Sequence, residues 1–186
     1  MTIMKRQHIR VPYGLLDLNI ANEAKRVYLA LLYYRSGTNK QIKVKIQTIA
    51  ERAGLKERQV KKHLQALCDT NILSRRQVIH GKNAWGCNQY TIQCDETYYA
   101  AIPYEIAFDK NLSAMELVLY CILKRHTDLI KPDFKCWMDK AQLAKKLGSS
   151  MNHIDKIKRA LKQAGYIDYG RNHSQITLIY EQQVED

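Results

Sequence analysis

One segment of this chain recurs, and the recurrence dictates what architecture the rest can take. Ile49-Ala50-Glu51-Arg52-Ala53-Gly54 and Leu143-Ala144-Lys145-Lys146-Leu147-Gly148 stand 94 positions apart. The same shift sets Val60 against Ile154, Ala66 against Ala160, Leu67 against Leu161 and Ile72-Leu73 against Tyr166-Ile167. A chain of 186 residues that repeats at this interval reads as two modules of roughly 90 residues, each long enough to bury its own core. The expected division is 1–93, a linker over 94–101, and 102–186. Ile102-Pro103-Tyr104 echoes Val11-Pro12-Tyr13 and marks the expected start of the second module.

The two halves differ in charge. Residues 1–93 hold 17 Lys+Arg against 5 Asp+Glu, a net of +12, whereas residues 94–186 hold 13 of each. Clustered Lys and Arg gain free energy by displacing the counterions of a polyanion, so the first half points to a polyanion partner that charge alone does not identify. No apolar run approaches the ~20 residues that cross a bilayer. No apolar stretch follows Lys5, Arg6 and Arg10, so a secretory signal is not expected. Five cysteines without a C-x-x-C pair fit reduced thiols and a cytoplasmic setting. His80, Cys87 and Cys94 recur every seven residues, but that spacing matches no zinc pattern, and neither a metal nor a cofactor is expected.

Periodicity places the elements. Ala24, Val27, Tyr28, Leu31 and Leu32 form the apolar stripe of a helix, and Leu119, Tyr120 and Leu123 form its counterpart. Ser113 with Glu116 three residues on is a capping box for that second helix. Gln41 to Val44 alternates as a strand does. A short helix over 46–53 stops at Gly54, and a longer one over 57–69 carries Val60, Leu64 and Leu67 inward. In the repeat, Asp139 caps the short helix, Gly148 ends it, and Ser150 caps a helix over 151–163. A hairpin then follows in each half, over 74–79 with 87–92 and over 167–169 with 176–180, the first with a tip spanning His80 to Gly86. The fold class expected is mainly α with small β wings.

Helix, strand, short helix, glycine turn, long helix and hairpin, written twice, resembles the winged helix-turn-helix family. Residues 46–60 with Leu64, Leu67 and Asn71-Ile72-Leu73 carry the resemblance most specifically. The first copy departs from it in placing Lys56 where a capping Ser or Thr is common. Two such modules in one short chain look like plasmid and phage replication initiators and regulators of mobile elements. The resemblance implies that the second helix of each pair enters the DNA major groove.

With Val60, Leu64 and Leu67 turned inward, the outer face of the 57–69 helix offers Arg58, Gln59, Lys61, Lys62 and Gln65, preceded by Lys56. Arg58 suits guanine, Gln59 suits adenine, and the lysines suit phosphates. The equivalent face of the repeat offers Ser149, Asn152, His153, Lys156 and Arg159, with Asp155 where Lys61 stands. A carboxylate there would face phosphates unfavourably or accept from a cytosine amine, so this module is either a weaker or more selective reader or a dimerisation or partner-binding module. The first wing carries Arg75, Arg76, Lys82 and Asn83, and the second carries Arg171. Arg75 and Arg76 fall on opposite faces of a strand, and Trp85 is expected to pack at the wing base. The stretch Lys5 to Arg10 reads either as an arm for the minor groove or as a solvated tail. No phosphate-binding loop, paired carboxylates or metal-binding histidine pair argues for an enzyme. The expected function is sequence-specific binding of double-stranded DNA, as a regulator of a mobile element; the alternatives are a replication initiator or origin-binding factor, and a protein-interaction module.

Overall fold

The computed structural model describes residues 7–35, 39–77, 88–127, 134–170 and 175–179. The chain divides into two compact units, Met1–Lys110 and Asn111–Asp186. Unit 1 begins with strand β1 (His8–Pro12) and a short helix α1 (Tyr13–Asp17). Helix α2 (Asn22–Tyr33), strand β2 (Gln41–Val44), helix α3 (Ile46–Ala53), helix α4 (Glu57–Asp69) and strands β3 (Leu73–Gln77) and β4 (Asn88–Ile92) follow. Strand β5 (Tyr99–Pro103) and a short helix α5 (Tyr104–Ala107) complete the unit.

The apolar stripes read from the sequence meet in one core. Val27, Tyr28 and Leu31 of α2, Ile49 of α3, and Val60, Leu64 and Leu67 of α4 are fully enclosed. The sheet has the order β2-β4-β3 and is antiparallel throughout, so side chains alternate between the core and solvent. Ile42, Val44, Leu73, Tyr90 and Ile92 face the helices and are buried.

The stretch expected as a linker, 94–101, ends inside β5, which pairs with β1 over five residues from His8↔Pro103 to Pro12↔Tyr99. Tyr13 donates its N–H to the Tyr98 carbonyl and Tyr104 donates to the Gln7 carbonyl, each at 3.0 Å. The first residue of each short helix thus ties down the residue ahead of the other strand. The echo between Val11-Pro12-Tyr13 and Ile102-Pro103-Tyr104 belongs to a two-stranded ribbon with local two-fold character, not to the starts of two modules. His8 to Arg10 are strand, so they form neither an arm nor a tail; the Arg10 guanidinium lies 4.9 Å over the Tyr99 ring. An ion pair between Arg35 and Glu96 holds the approach to β5 beside the end of α2.

Unit 2 consists of α6 (Ala114–His126), β6 (Lys135–Cys136), α7 (Lys140–Leu147), α8 (Met151–Gln163), β7 (Ile167–Tyr169) and β8 (Ile176–Leu178). Its sheet has the order β6-β8-β7, position for position that of unit 1. The caps form as their residues suggest. Ser113 Oγ accepts from the Glu116 N–H at 3.2 Å, Asp139 accepts from Gln142 at 2.7 Å, and Ser150 accepts from His153 at 3.3 Å. Leu119, Tyr120, Leu123, Leu143, Ile154 and Leu161 fill the core.

Among the core positions that differ in kind, one stands out. The 94-residue shift sets Lys158 of α8 against Leu64 of α4, and both are buried. The Lys158 ammonium lies 4.7 Å over the Tyr169 ring. Burial pushes its pKa down, and Asp155 one turn earlier partly opposes that shift.

Candidate nucleic-acid interface

Each unit builds the same corner, between α3 and α4 in unit 1 and between α7 and α8 in unit 2. Gly54 at the end of α3 has φ 65° and ψ 34°, and Gly148 at the end of α7 has φ 61° and ψ 41°. This left-handed conformation carries little strain only for glycine. The residue after each glycine closes the corner with a backbone hydrogen bond of 3.0 Å, from Leu55 to Ala50 and from Ser149 to Ala144. The next helix begins two residues later, at Glu57 and at Met151.

Helix α4 turns Val60, Leu64 and Leu67 inward and leaves Arg58, Gln59, Lys61, Lys62 and Gln65 exposed. Two glutamines on that face are partly committed. Gln59 Oε1 accepts the Lys56 N–H at 3.1 Å, and Gln65 donates to Asp69 at 2.9 Å. Lysine has no acceptor to offer in return, so only one half of a capping box forms at Lys56. The amide group that would accept from adenine is therefore used in holding the helix start, and Gln59 keeps only its donor for a base edge. Among the described residues no ion pair engages Lys56, Arg58, Lys61 or Lys62. Lys56 and Arg58 moreover stand at the positive end of the helix dipole, an arrangement that repels in the free protein and favours an incoming anion.

Helix α8 presents Asn152, His153, Lys156 and Arg159 to solvent, with Ser149 half-buried beside them. Here the polar groups are turned largely toward one another. Ser149 Oγ lies 3.1 Å from His153 Nδ1, and Arg159 Nε donates to the Asp155 carbonyl at 3.3 Å. Asp155 does not stand bare before a phosphate as its sequence position suggested: its carboxylate pairs with Lys140 at the start of α7. Lys162 pairs with Asp168 and shares the Tyr169 ring with Lys158. The cluster of four cations on α8 is thus half spent inside unit 2, because Lys158 is buried and Lys162 is paired.

On the first hairpin, Arg75 pairs across from Tyr90 and Arg76 from Gln89, which puts the two guanidinium groups on opposite faces of the sheet, both exposed. Lys43 also pairs with Gln89, from the other side. The sequence reading passed over Lys43, although its place at a polar position of an alternating strand was the available signal. Lys82, Asn83, Trp85 and Arg171 lie outside the described residues, as do His80 and Cys87. Among the described residues no group of His, Cys, Asp and Glu is placed to hold a metal ion, and no helix is long and apolar enough to cross a membrane.

Two helices joined at a glycine corner, the second with a cationic outer face, form a helix-turn-helix, an arrangement that binds DNA. Residues 110–167 match a family model described as a helix-turn-helix domain. The match spans α6, α7 and α8 and ends at the first residue of β7. A search of curated proteins returned no match.

The structural boundary also redraws the charge division. Residues 1–110 carry 18 Lys+Arg against 9 Asp+Glu, a net of +9, and residues 111–186 carry 12 against 9, a net of +3. The excess still resides in unit 1, but unit 2 is weakly basic where a cut at residue 93 made it neutral.

Proposed function

We propose that this chain binds double-stranded DNA sequence-specifically through two winged helix-turn-helix modules, unit 1 being the principal reader. The observation that carries the reading is the α4 face, where Lys56, Arg58, Lys61 and Lys62 are exposed without acidic partners beside a helix N-terminus. Its role is binding rather than catalysis. The paired form of the modules favours a regulator of a mobile element, whose site would overlap a promoter. A replication initiator would instead occupy repeated sites in an origin. Unit 2, whose cations are half committed, reads more weakly or serves to pair two copies of the chain.

Selection of bound sequences from a random duplex pool, mapped to the source genome, separates regulator from initiator. On the selected site, Arg58→Ala is expected to cost about 1–3 kcal/mol and relax the preference at one base pair. Lys62→Ala should weaken all sequences alike and reduce the salt slope by about 1. Salt-dependent titrations on both variants check this, and unchanged binding in both would move the reading surface off α4.

A further inference from the structure

Unit 1 carries a second cationic surface that the helix-turn-helix does not use. The register of its sheet places Gln41, Lys43, Ser74, Arg76, Gln89 and Thr91 on the face turned away from the core. None of the six is acidic, and all six are exposed or half-buried. Lys43 and Arg76 flank Gln89 from the two outer strands of the sheet, so their backbones stand about 10 Å apart, two strand spacings. Among the described residues neither is held in an ion pair. Two cations astride an amide, in a row that cross-strand pairing fixes, offer the chemistry that backbone phosphates take, with the amide as a further donor.

The equivalent face of unit 2 lacks this pair of cations, although Lys135 stands there at the place of Gln41. The 94-residue shift puts Trp137, exposed to 66%, at the place of Lys43, Asp168 at that of Ser74, and Gly170 at that of Arg76. The same sheet scaffold therefore folds without cations at these two positions. The sheet and α4 bury their apolar faces in one core and turn their polar faces away from it, which is the ground for assigning the sheet face to a different duplex from the one on α4.

We propose that the outer face of the β2-β4-β3 sheet is a separate phosphodiester-binding surface that takes a second segment of duplex DNA while α4 holds the first. The proposal rests on the DNA-binding reading above. Lys43 and Arg76 are its anchors and Gln89 is a neutral donor between them.

The experiment uses the full chain and its selected duplex, about 15 base pairs long, in two measurements. The first is affinity and salt slope for one duplex in solution. The second is capture of a differently labelled duplex by the protein already bound to an immobilised one. K43S/R76S is expected to abolish capture, while K43R/R76K, which keeps the charges, retains it; the single-duplex salt slope reads whether the two cations also touch the duplex on α4. Three results overturn the proposal. The wild-type chain captures no second duplex; K43S/R76S captures as well as wild type; or K43S/R76S lowers the single-duplex salt slope by about 2, which would place both cations on the same duplex as α4. Failure of the underlying reading looks different, because the wild-type chain would then bind no duplex in the first measurement.

Discussion

Leu64→Ala is expected to cost unit 1 about 2–5 kcal/mol of folding free energy, the range for truncating a fully enclosed leucine. Leu64 has no exposed surface and sits on α4 between Val60 and Leu67, where three helices and the sheet converge. The loss therefore falls on the element that presents Arg58, Lys61 and Lys62, and DNA binding should fall with it. Hydrogen exchange followed by mass spectrometry reads the two units separately in the intact chain. Peptides from α2, α3 and α4 should lose protection, and peptides from α7 and α8 should keep theirs. Equal loss in both sets would mean that the units do not unfold independently.

The corresponding position in unit 2 predicts the opposite sign. Lys158→Leu should stabilise unit 2 by about 1–2 kcal/mol at neutral pH, toward the lower end of the gains found on replacing buried ionic groups. The gain is held down because the wild-type ammonium already has the Tyr169 ring beneath it and Asp155 nearby. Burial lowers the pKa of Lys158 below the ordinary lysine value. The unfolded chain then binds the proton more tightly than the folded one. This penalty is absent above the unfolded lysine pKa of about 10.4 and grows as pH falls toward the depressed folded value, below which it is constant. The advantage of the leucine variant should accordingly be full at neutral pH and shrink on approach to pH ~10. Urea denaturation of both proteins across that range measures it. A destabilised variant at neutral pH would mean that the ammonium contributes more through its partners than it loses by burial.

These two positions show where sequence was informative and where it was not. The apolar stripe of α4 and the glycine that precedes it are local signals, and α3, α4, α7 and α8 have the bounds that periodicity implied. Exposure of Arg58, Lys61 and Lys62 followed from the same period. The fate of Asp155 did not, because its partner Lys140 lies on another helix, 15 positions away. Nor did the half-occupied amide of Gln59, which depends on Lys56 offering no acceptor of its own. The ribbon was hidden for a different reason. Each of its strands is short and ends in proline, and only pairing over a long sequence separation makes either of them a strand. The repeated Val-Pro-Tyr and Ile-Pro-Tyr triplets were visible, but local reasoning assigns a repeat to copies of a module before it assigns it to two partners.

That ribbon has a consequence for how the chain is made. Arg10 pairs with Ala101, so the two strands that close unit 1 bracket α1 to α4 and its three-stranded sheet. Loop-closure entropy rises only slowly with length, so the long separation alone is a modest obstacle. Timing is the greater one. While the chain emerges from the ribosome, α2 to β4 can collapse as soon as they are out. The strand at residues 8–12, however, has no β5 to pair with until residue 103 has followed. Over that interval the nascent protein displays an unpaired strand edge, the kind of edge on which another chain can add a strand.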